Sequence, residues 1–197
     1  MIARLIAGLL AITLTAALAL AQPTDEAERE ELRRFLEDTI NSAESFEDRF
    51  DAEVWLTYMS RPLSRFVKDP EERLDLLKEI HAAASRAGVP PDLVLAVIEV
   101  ESHFDRFAIS RVGAQGMMQV MPFWKDEIGR PEDNLTQNKT NFEYGCRILQ
   151  FYMQREDGHL HKALARYNGS VGSRRYSTKV YRAWSEHWRY EALDWEN

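Results

Sequence analysis

Apolar residues recur along this chain at the spacing of α-helices, about every 3.6 residues, and no stretch alternates convincingly as a strand would. Thr24, followed by acidic residues, suits the start of a helix. Two groups of periodic apolar positions follow it: Leu32, Phe35, Leu36 and Ile40, and then Phe50, Val54, Trp55, Tyr58 and Met59. The pattern predicts an all-α fold.

Local signals bound a third helix more sharply. Asp69-Pro70 pairs a capping residue with a proline suited to the first helical position, and Gly88 supplies a stop. We interpret residues 22–87 as a helical extension that packs on a domain formed by residues 88–197. An independent helical adaptor is the alternative.

A strongly apolar helix opens residues 88–197. It begins at Pro91, and residues 93–98 are all apolar, which predicts a helix buried on every side. Later helices are predicted from Asn141 to Arg155, across residues 163–167 up to an Asn-Gly turn, and from Ser177 to Trp184. Cys146 lies within the first of these, where we expect a buried core residue rather than a reactive thiol.

Residues 1–21 have the composition of a signal peptide. Arg4 precedes an uncharged apolar run, and Ala19-Leu20-Ala21 forms a cleavage site of the small-x-small type ahead of Gln22. We expect a cleaved leader and a periplasmic mature protein. An uncleaved membrane anchor is the alternative, because about seventeen apolar residues approach the length that spans a bilayer.

Charge excludes one class of function. The chain has 25 Lys and Arg against 32 Asp and Glu, a net charge of −7. Proteins bind nucleic acid largely by neutralising phosphates, so this acidic chain without a Lys/Arg cluster is not expected to bind it. Seventeen acidic and ten basic residues give residues 22–87 a charge of −7, whereas residues 88–197 carry −1. A single cysteine also excludes an internal disulfide.

Two carboxylates interrupt the end of the apolar helix, at Glu99 and Glu101. At about 100° per residue they point about 200° apart, so they cannot enter one cavity together. A glutamate at the end of such a helix is desolvated, which raises its pKa and suits a general acid near neutral pH. For Glu101, a structural hydrogen-bonding role is the alternative.

Four ordered motifs resemble those of one family. Glu101-Ser102-x-Phe104, followed by Ala108, Ser110 and the run 113–122, resembles the signature of the soluble lytic transglycosylase (SLT) domain, of the goose-type lysozyme superfamily. Residues 134–145, 165–172 and 176–180 resemble its later motifs in order. The resemblance covers roughly residues 88–185 and implies a lysozyme-like, SLT-type catalytic domain.

The resemblance implies cleavage of the β-1,4 bond between N-acetylmuramic acid and N-acetylglucosamine in peptidoglycan, with formation of a 1,6-anhydromuramic end. By position, Glu101 would be the single general acid/base, Ser110 would lie near the N-acetyl or oxocarbenium region, and Tyr176 would approach the carboxylate. The residues implied to line the glycan groove are Gln119, Met121, Tyr167 and Asn168. Gly169-Ser170 follows where many relatives have Ala-Gly, which predicts a local difference in the groove.

Other hypotheses stay open on sequence alone. A distant second carboxylate is one, with Asp105, Asp126, Glu127 and Glu143 as the positions considered. A lysozyme-type hydrolase and a non-catalytic peptidoglycan-binding module are alternatives to the transglycosylase. We expect no cofactor or metal, and a monomer. Because peptidoglycan carries carboxylates, we expect the acidic extension to face away from it or towards a basic partner in the cell envelope. A role in solubility alone is the alternative.

Overall fold

The helical content of the molecule follows the periodicity of the sequence. The computed structural model describes Glu30 and residues 49–189. The predicted leader and the helix predicted around residues 32–40 lie outside the described residues. The helices are α1 (Arg49–Leu63), α2 (Pro70–Ala87), α3 (Pro91–Ser102), α4 (Trp124–Ile128), α5 (Asn138–Arg155), α6 (Leu160–Tyr167) and α7 (Arg175–Ala183), with a π-helical turn at Trp184–Trp188.

Strand pairing within the described residues is limited to isolated bridges. Gln115 pairs with both Ile109 and Val120 in the loop between α3 and α4. The all-α prediction is therefore confirmed. Within residues 49–189 no helix is both long and apolar enough to cross a bilayer.

The ends of α2 lie where its capping residues predicted. The Asp69 carboxylate accepts a hydrogen bond from the Glu72 N–H at 2.8 Å, and Pro70 opens the helix. Gly88 adopts the left-handed conformation, with φ of 64°, and the Val89 N–H then donates to the Ala84 carbonyl at 2.9 Å. A glycine makes this closing turn without the steric cost that a side chain would add.

Helix α3 lies at the centre of the core. Its residues Leu93–Ile98 are all buried, as the uninterrupted apolar run predicted. Helices α2 and α7 and the π-helical turn pack around it, while α5 packs on α2 and α6. This arrangement fixes the carboxyl-terminal end of α3 against the amino-terminal half of α7.

The helices before residue 88 belong to the same core. Met59 of α1 and Leu77, Ile80 and Ala84 of α2 are completely buried. Helix α2 packs on α5, and α1 packs on α2 and on the π-helical turn. The domain boundary between residues 87 and 88 stays a prediction, but no break in packing coincides with it among these helices.

Candidate active site

Glu101 lies one residue before the end of α3, where the backbone turns sharply. His103 and Phe104 both have positive φ, 53° and 66°, and the His103 N–H donates to the Glu99 carbonyl. The Phe104 ring is buried against Phe66 and Trp188, with centroid distances of 5.0 and 5.5 Å. This anchor holds a backbone conformation that non-glycine residues rarely adopt. The chain therefore changes direction directly after α3, and Glu101 at this end of the helix is partly exposed.

The Glu101 side chain borders an open cavity of about 330 Å³. The cavity lies between the end of α3 and the segment from Asn168 to Lys179. Its lining residues are Val100, Glu101, Asn168, Ser170, Ser173, Arg175, Tyr176 and Lys179. Glu101 is the only carboxylate in this lining, among the residues that the structure describes.

Two opposing effects set the protonation of Glu101. Burial disfavours the charged form of Glu101, whereas a hydrogen bond from the Tyr176 hydroxyl favours it. Burial is the larger effect, and the pKa of Glu101 rises to about 7. The Tyr176 hydroxyl donates to Glu101 Oε1 at 2.7 Å. Burial and the nearby carboxylate also raise the pKa of Tyr176 well above its ordinary value, so the phenol stays protonated. Near neutral pH the carboxyl group is thus available both as an acid and as a base.

Asn141, at the start of α5, holds the loop behind the site. Its Oδ1 accepts the Met118 N–H at 2.7 Å, and its Nδ2 donates to the carbonyls of Gln115 and Leu135 at 2.9 and 2.8 Å. Gly116, with φ of 74°, fits between these groups; an added Cβ would lie 2.3 Å from the Leu135 carbonyl oxygen. The buried Asn141 amide and Gly116, where no larger residue fits, therefore fix the conformation of this loop.

Two further hydroxyls connect the same loop to the helices that carry the site. Ser102 Oγ, next to Glu101, donates to the Met117 carbonyl at 2.9 Å. The Tyr167 hydroxyl donates to the Met118 carbonyl at 2.8 Å. Met118 is fully buried, and Gly145 makes room for it, since a Cβ there would lie 2.4 Å from the Met118 sulfur. Hydrogen bonds and close packing therefore join the loop to α3, α5 and α6.

Three of the seven sequence-predicted site residues line the cavity: Glu101, Asn168 and Tyr176. Gln119 instead donates through Nε2 to the carbonyls of Ala108 and Gly116 at 3.1 and 2.9 Å. Ser110 Oγ accepts the Ala114 N–H at 3.0 Å, and Met121 packs half-buried against the core. Gln119, Ser110 and Met121 lie in the loop between α3 and α4, and Tyr167 bonds to that loop from α6. None of these four residues belongs to the cavity lining. Direct contact of these four with a glycan stays a prediction.

The sequence did not predict four polar residues that line the cavity: Ser170, Ser173, Arg175 and Lys179. Ser170 lines the cavity, while its Oγ is buried and has no hydrogen-bond partner among the described residues. It occupies the position where the sequence departs from many relatives. Arg175 and Lys179 are four residues apart on α7 and flank Tyr176, a spacing that the sequence shows.

The other carboxylates considered from the sequence have partners or positions elsewhere. Glu99 accepts hydrogen bonds from Trp188 Nε1 at 2.6 Å and from His187 Nδ1 at 3.0 Å. Glu143 forms an ion pair with Arg86 at 3.4 Å, and Asp105 accepts the Phe107 N–H at 2.9 Å. Asp126 and Glu127 do not line the cavity. Within residues 49–189 no cluster of three or more His, Cys, Asp or Glu is arranged to hold a metal ion.

The sequence is similar to those of known proteins. Residues 78–188 match the model of the "Transglycosylase SLT domain" family. Proteins named "Membrane-bound lytic murein transglycosylase C" from Yersinia pestis (strain Pestoides F) and Yersinia pseudotuberculosis serotype O:1b (strain IP 31758) are each 30% identical over 110 residues. The match covers 48% of this chain and 31% of each relative, so the chain spans about a third of their length. The family model covers more than half of the chain, including Glu101 and Tyr176, and the chain therefore belongs to the transglycosylase SLT domain family.

Proposed function

We propose that this protein is a peptidoglycan lytic transglycosylase that cleaves the β-1,4 bond between N-acetylmuramic acid and N-acetylglucosamine. One observation carries the proposal: among the residues that the structure describes, a single carboxyl group, Glu101, lines the cavity, and burial raises its pKa to about 7. Most glycosidases that hydrolyse their substrate use two carboxylates around the scissile bond. A single carboxyl group suits a reaction in which the substrate itself supplies the nucleophile.

In the proposed first step, protonated Glu101 gives its proton to the glycosidic oxygen. The bond from that oxygen to the anomeric carbon of muramic acid breaks, and positive charge develops at this carbon. In the second step the Glu101 carboxylate removes the proton from the C6 hydroxyl of the same sugar. The C6 oxygen bonds to the anomeric carbon, which closes the 1,6-anhydro ring and leaves Glu101 protonated again. No water molecule is consumed, and the intramolecular nucleophile gains from proximity.

Tyr176 supports both steps through its 2.7 Å hydrogen bond to Glu101. The bond orients the carboxyl group and stabilises the carboxylate that forms after the first proton transfer. Asn168 and Ser170 line the same cavity, and the Asn168 amide supplies a polar contact for the sugar hydroxyls or the N-acetyl group. The periplasm is the proposed location, on the basis of the leader-like residues 1–21.

Replacement of Glu101 by Gln tests the proposal. The amide keeps the shape of the side chain and loses the titrating proton, so we expect release of soluble glycan to fall at least about a hundredfold. Glu143→Gln is the matched control, because it removes a carboxylate that lies outside the cavity and already pairs with Arg86.

Mass spectrometry of the products separates the alternatives. Anhydromuramic ends, lighter by one water than reducing ends, support the transglycosylase. Reducing ends alone would assign a lysozyme-type hydrolase. Glycan binding without any cleavage by the unmodified chain would leave a non-catalytic binding module.

A further inference from the structure

A second cavity, of about 280 Å³, adjoins the one at Glu101. Val100 and Lys179 line both cavities, so the two spaces meet at these side chains. Nothing in the proposed chemistry at Glu101 uses this second space. Its occupant would belong to a part of the substrate remote from the scissile bond.

One face of α7 presents a row of cations to the two cavities. Arg175, Lys179 and Arg182 are spaced by four and three residues, which places them on the same side of the helix. Arg175 and Lys179 line the cavity at Glu101, while Lys179 and Arg182 line the second cavity. We refer to these three residues as the cationic row.

The charges of the cationic row are not neutralised by the part of the chain that the structure describes. All three side chains are exposed, and none is within 4 Å of a described carboxylate. Of the two carboxylates that line the second cavity, Glu99 is already bonded to Trp188 and His187, and Glu186 forms no ion pair with a described residue. The row is therefore open to an anionic ligand.

We propose that the cationic row binds the carboxylates of the peptide stems of peptidoglycan, so that the preferred substrate is a peptide-substituted glycan. This inference rests on the proposed function. At about 1.5 Å of rise per residue, the row extends about 10 Å along α7. A glycan stripped of its peptides offers one lactyl carboxylate per disaccharide, whereas a stem peptide offers several carboxylates along an extended chain. The length of the row matches the second kind of ligand.

Binding the stem in the second cavity also serves the reaction at Glu101. Contacts remote from the scissile bond hold the muramic residue in place, and the binding energy supports a reactive geometry at the neighbouring carboxyl group. Lys179 reaches both cavities, so it connects the site of stem binding to the site of bond cleavage.

The test compares sacculi that carry their stems with the same sacculi after amidase digestion, which leaves the glycan with its lactyl carboxylates. Binding is measured by co-sedimentation in the Glu101→Gln chain, where turnover does not interfere, and kcat/KM is measured in the chain with Glu101. The variant is the triple replacement Arg175→Gln, Lys179→Gln, Arg182→Gln. Arg174→Gln is the matched control, an exposed cation on the same segment that lines neither cavity.

We expect the chain with the unmodified row to bind and cleave stem-bearing sacculi better than stem-free sacculi. In the triple variant this preference should fall about tenfold, because each exposed cation contributes about a few-fold to binding. The Arg174 control should retain the preference, and thermal unfolding should verify that each variant is folded. An equal fractional loss on both substrates would overturn the proposal, because the row would then bind the glycan or its lactyl groups. Unchanged binding to both would overturn it as well. If the chain with Glu101 cleaves neither substrate, the proposed function fails, while the binding comparison still decides the role of the row.

Discussion

The hydrogen bond between Tyr176 and Glu101 sets the pH range in which a general acid can operate. Donation to the carboxylate favours the charged form, so its removal raises the pKa of Glu101 above about 7. A general acid is active when protonated, and its activity falls as pH rises through its pKa.

For Tyr176→Phe we therefore expect the alkaline limb of the kcat/KM profile to move to higher pH. The shift should be about one to two units, because a hydrogen bond to a charged group contributes about 1.5–3 kcal/mol. Tyr181→Phe is the control, since this exposed tyrosine of the same helix does not line the cavity. A shift of the limb to lower pH, or none, would contradict the assignment of the hydrogen bond as a pKa determinant.

At the residue scale, sequence reasoning works where local chemistry is sufficient. The opposite directions of Glu99 and Glu101 follow from helix geometry, and the structure gives these residues separate surroundings. The partner of Glu99 could not be predicted, because Trp188 is 89 residues away and reaches it only through tertiary packing. Gly169-Ser170 predicts a local difference in the groove, but the position of Ser170 in the cavity lining depends on the path of the whole turn.

The loop between α3 and α4 depends on one side chain of a distant element. Asn141 is 1% exposed and makes three hydrogen bonds that hold residues 115–118 against α5. The loss of its side chain leaves buried backbone groups without partners, which costs about 2–4 kcal/mol.

For Asn141→Ala we expect a decrease in the free energy of unfolding of that size, measured by denaturant titration, together with a loss of glycan cleavage. Asn138→Ala is the matched control one turn earlier in α5, where Oδ1 accepts no hydrogen bond from a described residue. If both variants had the same free energy of unfolding, the Asn141 hydrogen bonds would not be what stabilises the loop.

At the element scale, strong local signals predicted helix ends better than periodicity did. The Asp69-Pro70 start and Gly88 stop of α2 are confirmed, since cap and glycine act through their own backbone. The start of α5 is three residues earlier than predicted, and the last helix ends at Ala183 in a π-helical turn instead of continuing to Trp184. Trp184 and Trp188 donate to Asp92 and Glu99 of α3, and these distant contacts accompany the turn. The short helix α4 has too few residues for a periodic signal.

Across the whole molecule, charge and packing divide the chain differently. Acidity is concentrated before residue 88, as the sequence showed, yet the buried side chains of α1 and α2 join the core of the residues that follow. The match to the family model also begins within α2, at residue 78. The charge pattern describes the exposed faces of these helices. The apolar residues on their buried faces determine which other helices they pack against.

Truncation decides whether α2 is an extension or part of the domain. A chain that begins at residue 88 lacks Leu76, Leu77 and Ile80, which are buried in the shared core. Their burial contributes about 2 kcal/mol each, in a molecule whose total stability is expected to be about 5–15 kcal/mol. Removing them also exposes the apolar face of α5 on which α2 packs. We expect this chain to lose cooperative thermal unfolding, while a chain that begins at residue 49 retains it. Equal unfolding midpoints for the two chains would instead establish residues 22–87 as a separable extension, and their acidic surface could then be tested for a basic partner on its own.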